Sequence, residues 1–235
     1  LNAETCYIIN GILYLLALAF IFRISPKPMP VREVKETLYQ SMTSGLKFVF
    51  KNKMVLSALS LDLFAVLFGG AVALIPAFTD KILKLSPEAY GLLRTAPAVG
   101  AVLMAVILAI KPPGKKAGEA LLWSVILFGV FTILFALSTN YWLAFTMLLL
   151  TGAFDNISVV VRHSILQLMT PDNMRGRVAA VNSIFIGSSN EIGAFESGVA
   201  ARLMGLVPSI VFGGIMTIGV VLGIHKLNPD LKKMD

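Results

Sequence analysis

The chain contains 235 residues, of which 57% are hydrophobic and only 14% are charged, and its formal net charge is +7. Because soluble domains contain about 25% charged residues, this composition excludes an ordinary soluble protein and indicates a membrane protein. The single cysteine, Cys6, excludes an intrachain disulfide framework and is interpreted as a small buried hydrophobic residue. The chain begins at Leu1 without a signal-peptide pattern, and we expect it to be a fragment whose beginning is missing.

Seven apolar segments are long enough to cross a bilayer, which requires about 20 largely apolar residues. In chain order these predicted spans cover residues 5–22, 54–79, 89–110, 120–138, 141–169, 178–204 and 207–224. Ionisable groups inside a span are costly and rarely occur without a partner or a function. The predicted spans contain the ionisable residues Asp62, Arg94, Asp155, Arg162, His163, Glu191, Glu196 and Arg202.

A connection of different character separates the first span from the other six. Three prolines between residues 26 and 30 prevent the first helix from continuing. Apolar residues then recur at three- and four-residue steps, which predicts an amphipathic helix on the cytoplasmic membrane surface. These residues are Val31, Val34, Leu38, Met42, Leu46 and Val49. The predicted domains are a transmembrane helix in 1–25, a cytoplasmic amphipathic linker in 26–53 and a six-helix unit in 54–235.

The cations are concentrated on one side of the predicted bundle. Fifteen of the 20 Lys and Arg residues lie in the connection 23–53, the turns 111–116 and 170–177, and the C-terminus. Only Lys81, Lys84 and Arg202 fall on the opposite side. Because cytoplasmic loops carry an excess of Lys and Arg, we expect the N-terminus outside and the C-terminus in the cytoplasm.

Six spans after a long connector are typical of half a twelve-helix transporter, built from two three-helix units of opposite orientation. Three segments extend this interpretation. Residues 170–201, TPDNMRGRVAAVNSIFIGSSNEIGAFESGVAA, resemble the loop and eleventh helix of major facilitator superfamily transporters. Residues 61–83, LDLFAVLFGGAVALIPAFTDKIL, resemble the seventh helix of the branch that includes the bacterial enterobactin exporter. Residues 159–178, VVVRHSILQLMTPDNMRGRV, resemble the end of the tenth helix and the following loop.

The resemblance covers nearly the whole chain and implies an all-α integral membrane protein of the bacterial cytoplasmic (inner) membrane. Its architecture would be a C-terminal six-helix bundle, preceded by one helix equivalent to the sixth helix of a full transporter. The implied partners are a small-molecule substrate, the lipid bilayer and a missing N-terminal half of the same protein.

The turn 111–118, KPPGKKAG, departs from the superfamily pattern. It lies where a copy of the glycine- and arginine-rich cytoplasmic signature of the superfamily is expected. The turn contains no acidic residue, so a gating ion pair at this place would lack its carboxylate. A cytoplasmic gate or contacts with anionic lipid are predicted for Lys115, Lys116, Arg175 and Arg177. Basic residues that only orient the chain are the alternative.

Four ionisable residues are candidates for a proton-coupling or cavity site. Glu191 and Asp155 are placed near the midplane, where a poorly solvated carboxylate can load and release a proton. Glu196 lies closer to the outer end of its helix, and Arg94 approaches the same depth from the outer side. We expect Arg94 to pair with Glu191 or Glu196.

Asp62 and Arg162 are predicted to pair with each other, since each offsets part of the other's desolvation cost. Such pairs can also do no more than hold helices together. His163, beside Arg162, titrates in a useful range but is more typical of an interface residue.

These residues favour secondary active transport, with proton-coupled export of a small amphipathic metabolite, drug or siderophore as the leading hypothesis. Uptake or flipping of a lipid-like substrate by the same fold, and a membrane interaction or regulatory protein without transport, are the alternatives. The sequence contains no nucleophile triad, metalloprotease motif or phosphate-binding loop, so no enzyme is predicted. No cofactor or nucleic-acid partner is expected. A metal site is not expected either, because the only two histidines, His163 and His225, are far apart in the sequence.

Overall fold

The computed structural model describes residues 3–25, 37–112, 114 and 116–229 of the chain. The chain divides into two units, Leu1–Thr37 and Leu38–Asp235. The first unit contains helix α1 (Ala3–Ile21), an apolar helix with Glu4 in its first turn, where a negative charge complements the helix dipole.

The described residues of the second unit form helices joined by short connections and contain no strand. Its helices are α2 (Leu38–Lys51), α3 (Lys53–Phe68), α4 (Ala71–Phe78), α5 (Pro87–Ile110), α6 (Ala117–Ala136), α7 (Tyr141–Met169), α8 (Arg175–Met204) and α9 (Leu206–Leu227). The predicted all-α membrane fold is therefore confirmed.

Five segments of the described chain are long and apolar enough to cross a membrane. They are Lys53–Leu83, Pro87–Ile110, Ala117–Ala136, Tyr141–Met169 and Leu206–Leu227. The other two predicted spans form helices but differ in character. The first retains only a shorter apolar helix, Tyr7–Ile21, and α8 carries several charged side chains and does not qualify as an apolar span.

Side-chain caps fix where two of the helices begin. The Asn52 side chain accepts hydrogen bonds from the backbone N–H groups of Met54 and Val55 and so starts α3 immediately after α2. The Asn140 side chain accepts from the N–H of Trp142 at 2.8 Å and starts α7. Such caps satisfy N–H groups that have no partner within the helix.

The predicted span 54–79 is a broken helix. Helix α3 ends at Phe68, Gly69 and Gly70 interrupt it, and α4 then continues in the same segment. Pro76 lies inside α4, and a π-helical turn over Thr79–Leu83 follows. Proline and wider helical turns both weaken the regular hydrogen-bond ladder, so this segment is the least regular of the spans.

Small residues let the helices of the second unit pack closely. A Cβ on Gly152 of α7 would overlap the backbone of Pro97 in α5, and one on Gly100 of α5 would overlap the carbonyl of Leu149 in α7. Glycines permit this backbone approach, which is the usual basis of helix packing in membranes. The distance between α5 and α7 is therefore fixed by contacts that no residue larger than glycine could make.

Helix α2 packs on the beginning of α8 and on α3. Val49 is fully buried, and a Cβ on Gly45 would lie 3.0 Å from the carbonyl oxygen of Arg177. The Arg177 guanidinium donates a hydrogen bond of 2.9 Å to the Ser44 hydroxyl. The amphipathic segment predicted from residue 31 is thus helical from Leu38, while residues 26–36 lie outside the described residues.

Candidate functional site

Asp62 of α3 and Arg162 of α7 form a buried ion pair between Asp62 Oδ1 and Arg162 Nη1. This is the pairing that the sequence analysis proposed. The two residues are only 6% and 2% exposed, and apolar side chains of α3 and α7 pack beside them. Because each buried charge is compensated by the other, the pair connects two helices that are far apart in the chain.

Asp155 lies on the same side of α7 as Arg162, two turns closer to the helix start. Seven residues of helix separate them by about 10 Å. Asp155 is half-buried and forms no ion pair with any described residue. The neighbouring Asn156 has a buried side-chain oxygen without a hydrogen-bond partner in the described part of the chain. This stretch of α7 therefore contains polar groups whose bonding capacity is not used.

Helix α8 packs on the break between α3 and α4 along the stretch that contains its two carboxylates. A Cβ on Gly193 would lie 2.8 Å from the carbonyl oxygen of Leu67, and one on Gly70 would lie 2.5 Å from Ser197 Oγ. At 100° per residue, Glu196 lies on the flank of this packed face and Glu191 lies nearly opposite to it. Accordingly, Glu196 is half-buried and Glu191 is exposed.

Arg94 does not make the predicted contact. Among the described residues, no ion pair joins Arg94 to Glu191 or Glu196. The guanidinium instead donates a hydrogen bond of 2.7 Å to the hydroxyl of Tyr90, one turn earlier on α5. An i, i+4 partner on the same helix is always within reach, whereas α8 is not a principal packing neighbour of α5.

The basic residues of the two turns have mostly local partners. Lys116 Nζ lies 3.8 Å from Oε2 of Glu119. Glu119 directly follows the turn 111–118, and it supplies the acid that the turn itself lacks. Lys115 lies outside the described residues. The Arg175 guanidinium lies 3.0 Å from Oδ1 of Asp172, which pairs with it rather than capping α8, and Arg177 bonds to Ser44.

A cavity that the sequence analysis missed opens between the end of α7 and the beginning of α8. It has a volume of about 320 Å³. Its lining includes His163, Arg175 and two buried neutral side chains, Thr170 and Asn182. Neutral polar residues at helix ends, such as Thr170, usually serve as caps and do not indicate a binding site. The one signal in the sequence was the position of Asn182 inside an otherwise apolar stretch.

In the described residues, no group of three or more His, Cys, Asp or Glu side chains is placed to hold a metal ion. Among the predicted site residues, Asp62 and Arg162 form a buried pair, Asp155 is an acid on α7 without an ion-pair partner in the described residues, and Glu191 and Glu196 are two acids on α8.

A helical bundle with five segments long and apolar enough to cross a membrane, one of them a broken helix, is typical of an integral membrane protein of the transporter class. The whole chain, residues 1–235, matches the family described as transmembrane secretion effector. The chain therefore belongs to this family of the major facilitator superfamily. No curated protein matches the chain at a significant level.

Proposed function

We propose that the chain provides the acid-bearing half of a proton-coupled secondary transporter that exports a small amphipathic metabolite, drug or siderophore by alternating access. The observation that carries the proposal is the placement of α8. Its Gly193–Ser197 face packs on the α3–α4 break, while Glu191 is exposed on the other side. In transporters, interrupted helices near the midplane form substrate and ion sites.

The exposed carboxylate supports the pairing of this bundle with a second, N-terminal six-helix half. A charged side chain facing lipid at the centre of the bilayer costs about 3 kcal/mol by insertion measurements. The exposed face of α8 is therefore expected to face protein or a water-filled cavity rather than lipid. That cavity would contain the substrate, and Glu191 would line it.

In this mechanism Glu191 and Asp155 bind and release the coupling proton, and Glu196 is the secondary candidate. Neither Glu191 nor Asp155 is held by an ion pair with another described residue, so no described cation competes with the coupling proton for either carboxylate. The Asp62–Arg162 pair serves a different purpose, since a compensated buried pair keeps α3 against α7.

The concentration of cations on one side supports a bacterial cytoplasmic (inner) membrane location with the C-terminus in the cytoplasm. In that orientation the turns that contain Lys116, Arg175 and Arg177 face the cytoplasm and take part in closing that side. Uptake, or flipping of a lipid-like substrate, would use the same acids with the opposite direction of net flux.

The test measures proton movement coupled to substrate in proteoliposomes of the full-length protein. Pyranine inside the vesicles reports pH while ethidium or a catecholate is added on either side. Glu191→Gln is expected to abolish substrate-dependent proton flux, because the amide cannot bind a proton at this pH. The matched control is Glu88→Gln, at an exposed position in the first turn of α5, which should behave as the wild type.

Unchanged pH-dependent transport in Glu191→Gln would remove Glu191 from the mechanism, and Asp155→Asn would then be measured in the same assay. Inward substrate accumulation driven by the same gradient would favour the uptake alternative.

A further inference from the structure

We propose that the cavity between α7 and α8 is a binding site for a phosphate group that also carries a hydroxyl, either free hydrogen phosphate or the phosphoglycerol headgroup of a lipid. The inference is independent of proton coupling, since the cavity contains none of the carboxylates assigned to transport. Its volume of about 320 Å³ is at the lower end of the range for small-molecule sites.

Two buried side chains of the cavity wall lack hydrogen-bond partners within the described residues. They are Thr170, through Oγ1, and Asn182, through its side-chain oxygen. Thr170 is 3% exposed and Asn182 is 6% exposed, so bulk water does not supply the missing hydrogen bonds. A buried polar group without a partner costs about 1–3 kcal/mol, and two on one cavity indicate a ligand that supplies the missing partners.

The charged and titratable groups of the cavity define the sign of that ligand. Arg175 and His163 both line it, and the surroundings are otherwise neutral or apolar. Arg175 also contacts the highly exposed Asp172 and lies 3.5 Å from the carbonyl oxygen of Gln167, both through one terminal nitrogen. A guanidinium has five N–H donors, so most of its donors are still available to an anion.

The two unpartnered atoms define the rest of the chemistry. The Thr170 hydroxyl and the Arg175 guanidinium donate to phosphate oxygens, which is the pairing that charge-assisted hydrogen bonds favour. The Asn182 oxygen needs a donor, which the hydroxyl of hydrogen phosphate or of a glycerol headgroup supplies. A fully ionised sulfate has no such donor. The position of the cavity at the ends of two long helices also matches the depth at which headgroups lie.

The experiment compares inorganic phosphate with sulfate on the full-length protein in detergent, at constant ionic strength and neutral pH. Phosphate is expected to raise the melting temperature in a saturable way and more than sulfate does. Thr170→Val and Arg175→Gln should each weaken the phosphate affinity by about tenfold, the effect of one lost charge-assisted hydrogen bond. The matched control is Arg202→Gln, an exposed arginine at the other end of α8, which should retain wild-type affinity.

Thr170→Ser keeps the hydroxyl and is expected to bind as the wild type, which separates loss of the donor from damage to the fold. A wild-type protein that shows equal shifts with phosphate and sulfate, or none, would overturn the proposal. So would variants of Thr170 and Arg175 that bind phosphate unchanged.

The source of the phosphate is distinguished by native mass spectrometry from vesicles that contain phosphatidylglycerol and phosphatidylcholine. Retention of phosphatidylglycerol that added phosphate displaces, and that Thr170→Val loses, would identify the lipid headgroup. Phosphate binding without selective lipid retention would identify the free anion.

Discussion

At the residue scale, burial divides the ionisable side chains of the bundle into distinct roles. Asp62 and Arg162 are buried and compensated, whereas Asp155 is half-buried without an ionic partner among the described residues and Glu191 is exposed. A compensated pair stabilises one arrangement of helices, while an uncompensated acid responds to a proton or a substrate. The distinction predicts which substitutions change stability and which change transport.

Breaking the Asp62–Arg162 pair on one side should destabilise the bundle strongly. Arg162→Met leaves Asp62 as an uncompensated buried charge, and the expected loss is about 3–5 kcal/mol. The double variant Asp62→Leu/Arg162→Met is expected to recover most of this loss, because apolar residues of similar size replace both charges. Thermal and denaturant unfolding in detergent micelles measures both.

The control for this pair is Arg202→Met on the exposed end of α8, which should change stability by no more than about 0.5 kcal/mol. If the double variant were as unstable as Arg162→Met, the interaction of the two charges would not explain the loss.

At the element scale, the contacts between helices depend on backbone approach more than on large side chains. The α5–α7 contact is the closest example, with Gly100 and Gly152 each directed at a carbonyl of the other helix. Helix α8 uses Gly193 in the same way against α3. Such contacts fix the distance between two helices but allow little change in side-chain volume.

Gly152→Ala is expected to destabilise the bundle by about 1–3 kcal/mol, because the added methyl group would overlap backbone atoms of Pro97 that cannot rotate away. Gly219→Ala on α9 is the matched control, since nothing lies within 4 Å of its Cβ position. There the better helix propensity of alanine should leave stability unchanged or raise it by up to about 1 kcal/mol. A thermal unfolding series that shows equal effects for both variants would contradict the close approach.

The existence of the helices was predictable from the sequence, but the irregularities within them were not. Apolar run length placed α5, α6, α7 and α9 within a few residues of their observed bounds, because these helices are apolar along most of their length. Run length cannot show that Gly69 and Gly70 divide one span into α3 and α4, since both halves remain apolar.

The candidate site was likewise predictable only in part. The Asp62–Arg162 contact followed from charge and depth, whereas Arg94 was assigned a partner on α8 because the nearer hydroxyl of Tyr90 was not considered. The α7–α8 cavity was missed because Thr170 and Asn182 are neutral, and only the three-dimensional structure shows that their polar atoms are buried without partners in the described part of the chain.

At the scale of the whole molecule, two features constrain the orientation and the surroundings of the bundle. They are the concentration of cations on one side and the exposed Glu191 on α8. Short connections join the long helices, so the turn containing Lys116 and the turn containing Lys84 lie at opposite ends of the bundle. The polar face of α8 then requires a neighbouring protein surface or water between those ends. Both features favour the proposed pairing of this bundle with a second half and the proposed orientation.

The proposed orientation predicts a labelling pattern in intact cells. With Cys6 replaced by alanine, a single cysteine at Lys84→Cys should react with a membrane-impermeant maleimide added outside. Lys116→Cys should react only after permeabilisation, because its turn faces the cytoplasm. Both positions are exposed in the structure, so both should react fully in detergent. The reverse pattern in intact cells would invert the topology.

The end of α3 also has a consequence for how far this sequence can diverge. The last turn of a helix leaves carbonyl oxygens without partners inside that helix, and hydrocarbon offers no water to replace them. Here the carbonyls of Leu67 and Phe68 face the Cα atoms of Gly193 and Gly213, whose hydrogens can make weak C–H···O contacts. A mutation at either glycine would therefore both collide with α3 and remove a partner from its carbonyl. A compensating change in another helix would have to occur at the same time. We therefore expect that evolution does not replace these glycines by single mutations.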